Sequence, residues 1–273
     1  MILFSCRFLP RRSSHTPEGT AIQVIAAADP EDLAEQAGEF LLARIGNAVD
    51  GRGRARVILA GGGTPRATYG VIAAGAAQRK LCVERIAWFF GDERWVGSDD
   101  PQSNEGMSRA SLLGPLGAAE AAIHSWRAGS GDPVECAAAY GAMAAAEMGG
   151  AAGAPDVVVL GLGADGHTAS LFPGAAARLP GGRSFPMGPS IPGTAAAVEP
   201  GAGRDWRLTL CPVFLRTSRC VVFLVTGAEK APAFLRATRG DPSTPAAWIR
   251  GGETVFFATR DVLDEGGRAT RHA

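Results

Sequence analysis

The chain has 273 residues, enough for one large α/β domain or two small ones and for a substantial core. Its 27 Lys and Arg balance 27 Asp and Glu, which argues against a nucleic-acid or membrane surface as the main partner. Five cysteines form no CxxC pair, and four histidines form no HExxH or Cys/His cluster, so neither a disulfide framework nor a structural zinc site is indicated.

Residues 1–20 read as a disordered or loosely attached leader. Their apolar stretch precedes Arg7, Arg11 and Arg12, the reverse of a secretory signal. No apolar run reaches transmembrane length. The cysteines fit small buried apolar residues in a reducing cytosol, so a cytoplasmic location is expected. A first strand is predicted at 22–25. Asp29-Pro30-Glu31-Asp32 then starts a helix: an N-cap, a proline in the first turn, and acids against the dipole. Leu33, Ala37, Phe40, Leu41 and Ile45 give that helix its apolar face.

The next strand, 56–60, runs into Gly61-Gly62-Gly63, and Thr64-Pro65 opens a second helix. A third strand, 86–90, ends in Gly91-Asp92-Glu93-Arg94. Asp132-Pro133 starts a helix running to about Met148, and a fourth strand follows at 156–160. Residues 174–193, rich in Gly, Pro and Arg, read as a long loop. Strands at 207–210 and 220–226, a helix at 227–239 and a strand at 254–258 complete the set, with 263–273 as a flexible tail. Alternating strands and helices imply a single α/β domain over 21–262: a mainly parallel, Rossmann-like sheet with helices on both faces.

Chemistry concentrates at strand ends, where open parallel sheets bind ligands. The apolar run 157–160 ends in Gly161, Gly163 and Gly166, followed at once by His167, a residue suited to proton transfer. The glycine spacing also fits a dinucleotide pattern, but that pattern needs an acid about 20 residues on. None stands between Leu171 and Val198. The Gly61–Gly63 loop leads into a helix N-terminus, which suits phosphate, but no lysine follows at P-loop spacing. Arg94 can clamp a phosphate or carboxylate, and Lys230, one turn into the helix after strand 220–226, can reach the same anion. These groups point to a phosphorylated small substrate and one acid/base histidine. With no GxSxG elbow, no catalytic-cysteine motif, no metal ligands and no cofactor motif, the expected chemistry is cofactor-free hydrolysis of an activated ester, or isomerisation.

Three blocks carry a resemblance: LAGGGTPRATYG at 59–70, FFGDERWV at 89–96 followed by Ser103-Asn104, and LGLGADGHTASLFPG at 160–174. With RLTL at 207–210 and VTGAEKA at 225–231, they occur in the order of the 6-phosphogluconolactonase family, which the chain resembles from about Ile22 to Ala258. That family's fold is similar to glucosamine-6-phosphate deaminase, a parallel sheet without a nucleotide. The resemblance implies hydrolysis of 6-phospho-D-glucono-1,5-lactone by a monomer or small homo-oligomer. His167 would be the general base, with Asp165 and Asp92 orienting it or the sugar hydroxyls. Arg94 and Lys230 would hold the phosphate or the developing oxyanion, and Gly62, Gly63 and Thr64 would cradle the phosphate. Arg66 and Arg207 are lesser candidates for that anion. A deaminase or isomerase on the same fold, or a non-catalytic sugar-phosphate sensor, are the alternatives. The chain departs from the family where Gly63 replaces the usual serine, at Arg216-Thr217-Ser218, and at Ala258-Thr259-Arg260 before Asp261.

Overall fold

A computed structural model describes residues 22–148, 153–199, 201 and 205–269. Eleven strands are present among these residues: β1 (Ile22–Ala27), β2 (Ala55–Leu59), β3 (Ile86–Phe90), β4 (Asp92–Arg94), β5 (Val157–Gly161), β6 (Ala176–Leu179), β7 (Arg183–Pro186), β8 (Ala195–Val198), β9 (Arg207–Leu210), β10 (Cys220–Val225) and β11 (Glu253–Thr259). The main helices are α1 (Pro30–Arg52), α2 (Gly63–Ala76), α3 (Asn104–Ser108), α4 (Pro133–Met148), α5 (Ala231–Arg239) and α6 (Arg260–Ala269).

Six strands form an all-parallel sheet in the order β1-β11-β10-β5-β2-β3. Helices flank it, α1 against α2 and α5 against α6. Covered strands of a parallel sheet must be apolar on both faces. Accordingly β2 (ARVIL) and β10 (CVVFLV) are buried at every position. Helix α1 starts as its sequence dictates: the Asp29 carboxylate accepts from the Glu31 and Asp32 N–H groups at 3.0 and 2.9 Å. Leu33, Ala37, Leu41 and Ile45 are buried, and Phe40 packs edge-on against Phe257. Strand order reverses between β2 and β5: β3 lies to one side of this pair, β10 and β11 to the other. Such a reversal opens a crevice at the carboxyl ends of the strands.

A second sheet, antiparallel and in the order β4-β9-β8-β6-β7, corrects the reading of 174–193 as a loop. Strands β6 and β7 form a hairpin through Pro180-Gly181-Gly182, where both glycines take positive φ, 77° and 72°. These strands are four residues each and sit among Gly, Pro and Arg, so no alternating pattern is long enough to read. Strand β8 is Ala-Ala-Ala-Val, which carries no strand signal of its own. The chain passes between the sheets at Gly91, whose N–H bonds the Leu59 carbonyl of the first sheet and whose carbonyl accepts from Leu210 of the second, both at 2.8 Å.

Two further corrections concern the C-terminal part. The helix expected at 227–239 begins with a 3-10 turn at Ala228–Lys230, and α5 proper starts at Ala231. Residues 263–269, expected in a flexible tail, continue helix α6. The leader at 1–20 and residues 270–273 lie outside the described residues. Of the cysteines, Cys211 and Cys220 are buried as expected, Cys136 is partly buried and Cys82 is exposed. No helix among the described residues is long and apolar enough to cross a membrane.

The chain's two tyrosines, both buried, do related jobs. The Tyr69 hydroxyl donates to the Ala60 carbonyl at 2.9 Å and accepts from the Ala60 N–H at 2.8 Å. Tyr140 does the same at Phe90, at 3.1 and 2.8 Å. Each phenol thus satisfies backbone groups where a strand is about to leave its ladder. One strand end leads into the glycine loop and the other into Gly91-Asp92.

Candidate active site

A cavity of about 260 Å³ opens at the carboxyl ends of β2, β5 and β10, at the reversal in strand order. It is lined by the loop Gly61–Gly63 with Thr64, by Asp92, Arg94 and Asn104, by Gly163, His167 and Thr168, and by Lys230. Seven of the residues singled out from the sequence therefore converge: Gly62, Gly63, Thr64, Asp92, Arg94, His167 and Lys230. Arg66, Arg207 and Asp165 do not line the cavity. Arg66 is exposed on the first turn of α2. Arg207 is paired in register with Arg94 across β4 and β9, and from there its charge acts on Asp92.

The histidine loop is built by its glycines. A Cβ at Gly163 would lie 2.1 Å from His167 Nδ1, so the imidazole packs where only a glycine fits. Gly166 has φ 94°, and its carbonyl accepts from Ala246 N–H at 3.1 Å, tying the loop to the segment after α5. The turn then passes through Ala169 at φ 48°, a conformation costing roughly 1–2 kcal/mol for a residue with a Cβ. Thr168 and Leu171 close it as an isolated bridge. The Thr168 hydroxyl donates to the Gly161 carbonyl at 2.8 Å, and the buried Ser170 hydroxyl donates to Asp92 Oδ2 at 2.7 Å.

Asp165 Oδ1 lies 2.5 Å from His167 Nδ1 and accepts from the His167 N–H at 3.0 Å. Burial acts to raise the Asp165 carboxyl. The hydrogen bonds from His167 outweigh it and hold the group below the usual carboxylate range. An ionised carboxylate at Nδ1 fixes the tautomer: Nδ1 carries the proton and Nε2 keeps its lone pair. This is the arrangement a general base requires.

Asp92 and Glu93 are both buried, and burial pushes both carboxyls up from their usual range. They serve different purposes. Asp92 faces the cavity, held by Ser170 and by the Asn104 amide, whose Nδ2 lies 2.9 Å from the Asp92 carbonyl and 3.2 Å from Oδ1. Glu93 turns inward. Its carboxylate accepts from Asn104 N–H at 2.7 Å, Glu105 N–H at 2.8 Å, Arg94 N–H at 2.8 Å and the Ser103 hydroxyl at 3.0 Å. It thereby fastens the N-terminus of α3 to β4. The Arg94 guanidinium donates to the Gln102 carbonyl, which anchors it at the cavity wall. Lys230 has no salt-bridge partner among the described residues.

Helix α2 starts at Gly63 with Gly62 as its cap, at φ 110° and without a side-chain cap bond, so its first N–H groups are free for a ligand anion. Thr64 is fixed by its hydroxyl, 2.9 Å from that of Thr226. Asn104, Thr168 and Ser170 were not singled out from the sequence as site residues, although all three stand inside the quoted motifs. His124 belongs elsewhere. It lines a separate cavity with Arg109 and Tyr140, its ring stacks on Phe89 at 4.2 Å, and burial pushes its pKa down. His15 and His272 lie outside the described residues. Among the described residues no cluster of His, Cys, Asp or Glu could hold a metal ion.

The chain matches the model of the family described as glucosamine-6-phosphate isomerases/6-phosphogluconolactonase over residues 28–257. It is 36% identical over 246 residues to a 6-phosphogluconolactonase of Synechocystis sp., covering 87% of this chain and 95% of that protein. It is 34% identical over 243 residues to one of Mycobacterium tuberculosis, covering 86% and 94%. Two solved structures share the fold. The 6-phosphogluconolactonase of Thermotoga maritima has a TM-score of 0.73 at 24% identity, covering 88% of this chain and 100% of that one. A monomeric glucosamine-6-phosphate deaminase has a TM-score of 0.72 at 17% identity, covering 89% and 99%. The chain belongs to the glucosamine-6-phosphate isomerase/6-phosphogluconolactonase family.

Proposed function

We propose that the protein is a 6-phosphogluconolactonase, hydrolysing 6-phospho-D-glucono-1,5-lactone to 6-phosphogluconate in the cytosol without a cofactor. The observation that carries this reading is the Asp165–His167 pair, its imidazole in the wall of a cavity that also holds Arg94, Lys230 and a glycine-capped helix start. A base beside an anion site is what hydrolysis of a phosphorylated ester needs, and curated relatives at 36% and 34% identity bear the lactonase name.

In this reading His167 Nε2 takes a proton from a water, and the resulting hydroxide attacks the lactone carbonyl carbon. Charge develops on the carbonyl oxygen, where Arg94 or Lys230 stabilises it. The tetrahedral intermediate collapses, the ring C–O bond breaks, and the imidazolium returns its proton to the departing oxygen. Asp165 steadies the imidazolium between the two transfers. The Gly62–Thr64 backbone and the remaining cation hold the phosphate.

The test is a continuous assay on freshly generated 6-phosphogluconolactone, read against spontaneous opening in buffer. Turnover that depends on His167 supports the reading. Release of ammonia from glucosamine 6-phosphate would identify a deaminase, and binding without turnover a sensor.

A further inference from the structure

The cavity's anion-binding groups are donors: the free N–H groups after Gly62, Arg94 and Lys230. Donors suit a phosphate and a carbonyl oxygen. They offer nothing to hydroxyl protons, which need acceptors. Besides His167 Nε2 and the Thr64 and Thr168 hydroxyls, the cavity's side-chain acceptors lie on the wall formed by Asp92 and Asn104.

The orientation of Asn104 follows from its neighbours. Its Nδ2 faces the Asp92 carbonyl and Oδ1, both acceptors, so the reverse amide orientation would set oxygen against oxygen. Oδ1 is thereby turned toward Gly61, where a Cβ would lie 1.7 Å from it. That close approach requires the first glycine of the loop. Glu93 fixes the backbone N–H of Asn104 from behind, the Ser103 hydroxyl holds Glu93, and Ser170 fixes the other carboxylate oxygen of Asp92. Asn104 is 3% exposed and Asp92 is 8% exposed, yet both border the cavity, and Asn104 Oδ1 has no hydrogen-bond donor among the described residues. An acceptor wall this firmly held is built to meet donors on a ligand.

We infer that Asn104, together with Asp92, reads the ring hydroxyls of the substrate and sets the preference for a polyhydroxylated lactone over a deoxygenated one. The inference rests on the lactonase reading and deepens it. A substrate lacking the matched hydroxyl leaves a desolvated acceptor unpaired, and that penalty, rather than lost attraction alone, is what produces discrimination.

The experiment compares kcat/KM for 6-phosphogluconolactone with kcat/KM for its 2-, 3- and 4-deoxy analogues, in the parent and in Asn104→Ala. The parent should prefer the full lactone over at least one analogue by about tenfold or more, the worth of one well-placed hydrogen bond. Asn104→Ala should narrow that ratio to about threefold or less, by slowing the hydroxylated substrate and relieving the penalty on the analogue. An equal loss on all four substrates would assign Asn104 a purely structural role and overturn the inference. So would a parent indifferent to every deoxygenation. If Asn104→Ala does not fold, Asp92→Asn, which replaces one acceptor oxygen of the wall with a donor, is read in the same way. Absence of lactone turnover by the parent would overturn the lactonase reading itself, and is distinguished from the other outcomes because it appears before any variant is made.

Discussion

The Asp165 carboxylate is bonded to His167 twice, to the ring at Nδ1 and to the backbone N–H, across an interval of only two residues. Such a short loop cannot let one group move without the other. His167→Asn should therefore lose on the order of 10²–10⁴-fold in kcat, the usual worth of a positioned base. Asp165→Asn should lose less, because Nε2 stays in place while the carboxylate that fixes the tautomer is gone. Parental kcat in Asp165→Asn would show that Asp165 does not act through the histidine.

Anion recognition is tested at Lys230 and Arg94. Each charge-assisted contact is worth on the order of 1.5–3 kcal/mol, so Lys230→Ala or Arg94→Ala should lower kcat/KM by roughly tenfold or more. Unphosphorylated gluconolactone should be a much poorer substrate for the parent. Equal rates on the two lactones would show that the cavity does not select phosphate.

Gly63, where the family usually carries serine, has open space where its Cβ would stand. Its neighbour Gly62 has the positive φ; Gly63 does not. Gly63→Ser should therefore fold unchanged and add a hydroxyl beside the free N–H groups of α2. Competitive inhibition by inorganic phosphate should become about as tight or tighter. Weaker inhibition would mean that the glycine is required for backbone approach to the anion.

Two adjacent carboxylates should respond oppositely to neutralisation. Burial raises Asp92, so the native chain holds that proton more tightly than the unfolded chain. The ionised group therefore costs stability, a cost that grows as pH rises from the usual carboxylate range through the raised value. Asp92→Asn should match or exceed the parent melting temperature at neutral pH, with the advantage shrinking as the pH is lowered, while activity falls. In Glu93→Gln an amide N–H₂ would face the N–H groups of Asn104 and Glu105. Loss of such charge-assisted bonds is worth about 1.5–3 kcal/mol, so its melting temperature should drop by several degrees. A fall for Asp92→Asn as large as that for Glu93→Gln would contradict the division of roles.

Tyr69→Phe removes the partner of both Ala60 backbone groups. A buried polar group left unpaired costs about 1–3 kcal/mol, so stability should fall measurably by denaturant titration. Because Ala60 leads directly into the glycine loop, phosphate affinity should weaken as well. Unchanged affinity would show that the loop holds its shape without the phenol.

The parallel sheet and the chemical parts were legible from the order of residues alone. Runs such as 157–160 are apolar at every position because a parallel strand covered on both faces allows nothing else, and Asp29-Pro30 is a helix start in any context. Glycines followed at once by His167, and a glycine loop before Thr64, could be read because local backbone chemistry produces them. What that order could not determine depended on contacts between distant segments. Strands β4 and β6 to β8 are three or four residues long, and only pairing with β9 and with one another makes them strands. Arg207 has the same charge as Arg94, but register across β4 and β9 places one beside the cavity's wall and the other in it. Ser170 and Asn104 carry no distinctive local signal. They became site residues because a strained turn at Ala169 and the Glu93 clamp bring them, over 78 and 12 residues of sequence, to the same aspartate. Convergence of this kind is set by tertiary packing, which has no periodicity along the chain.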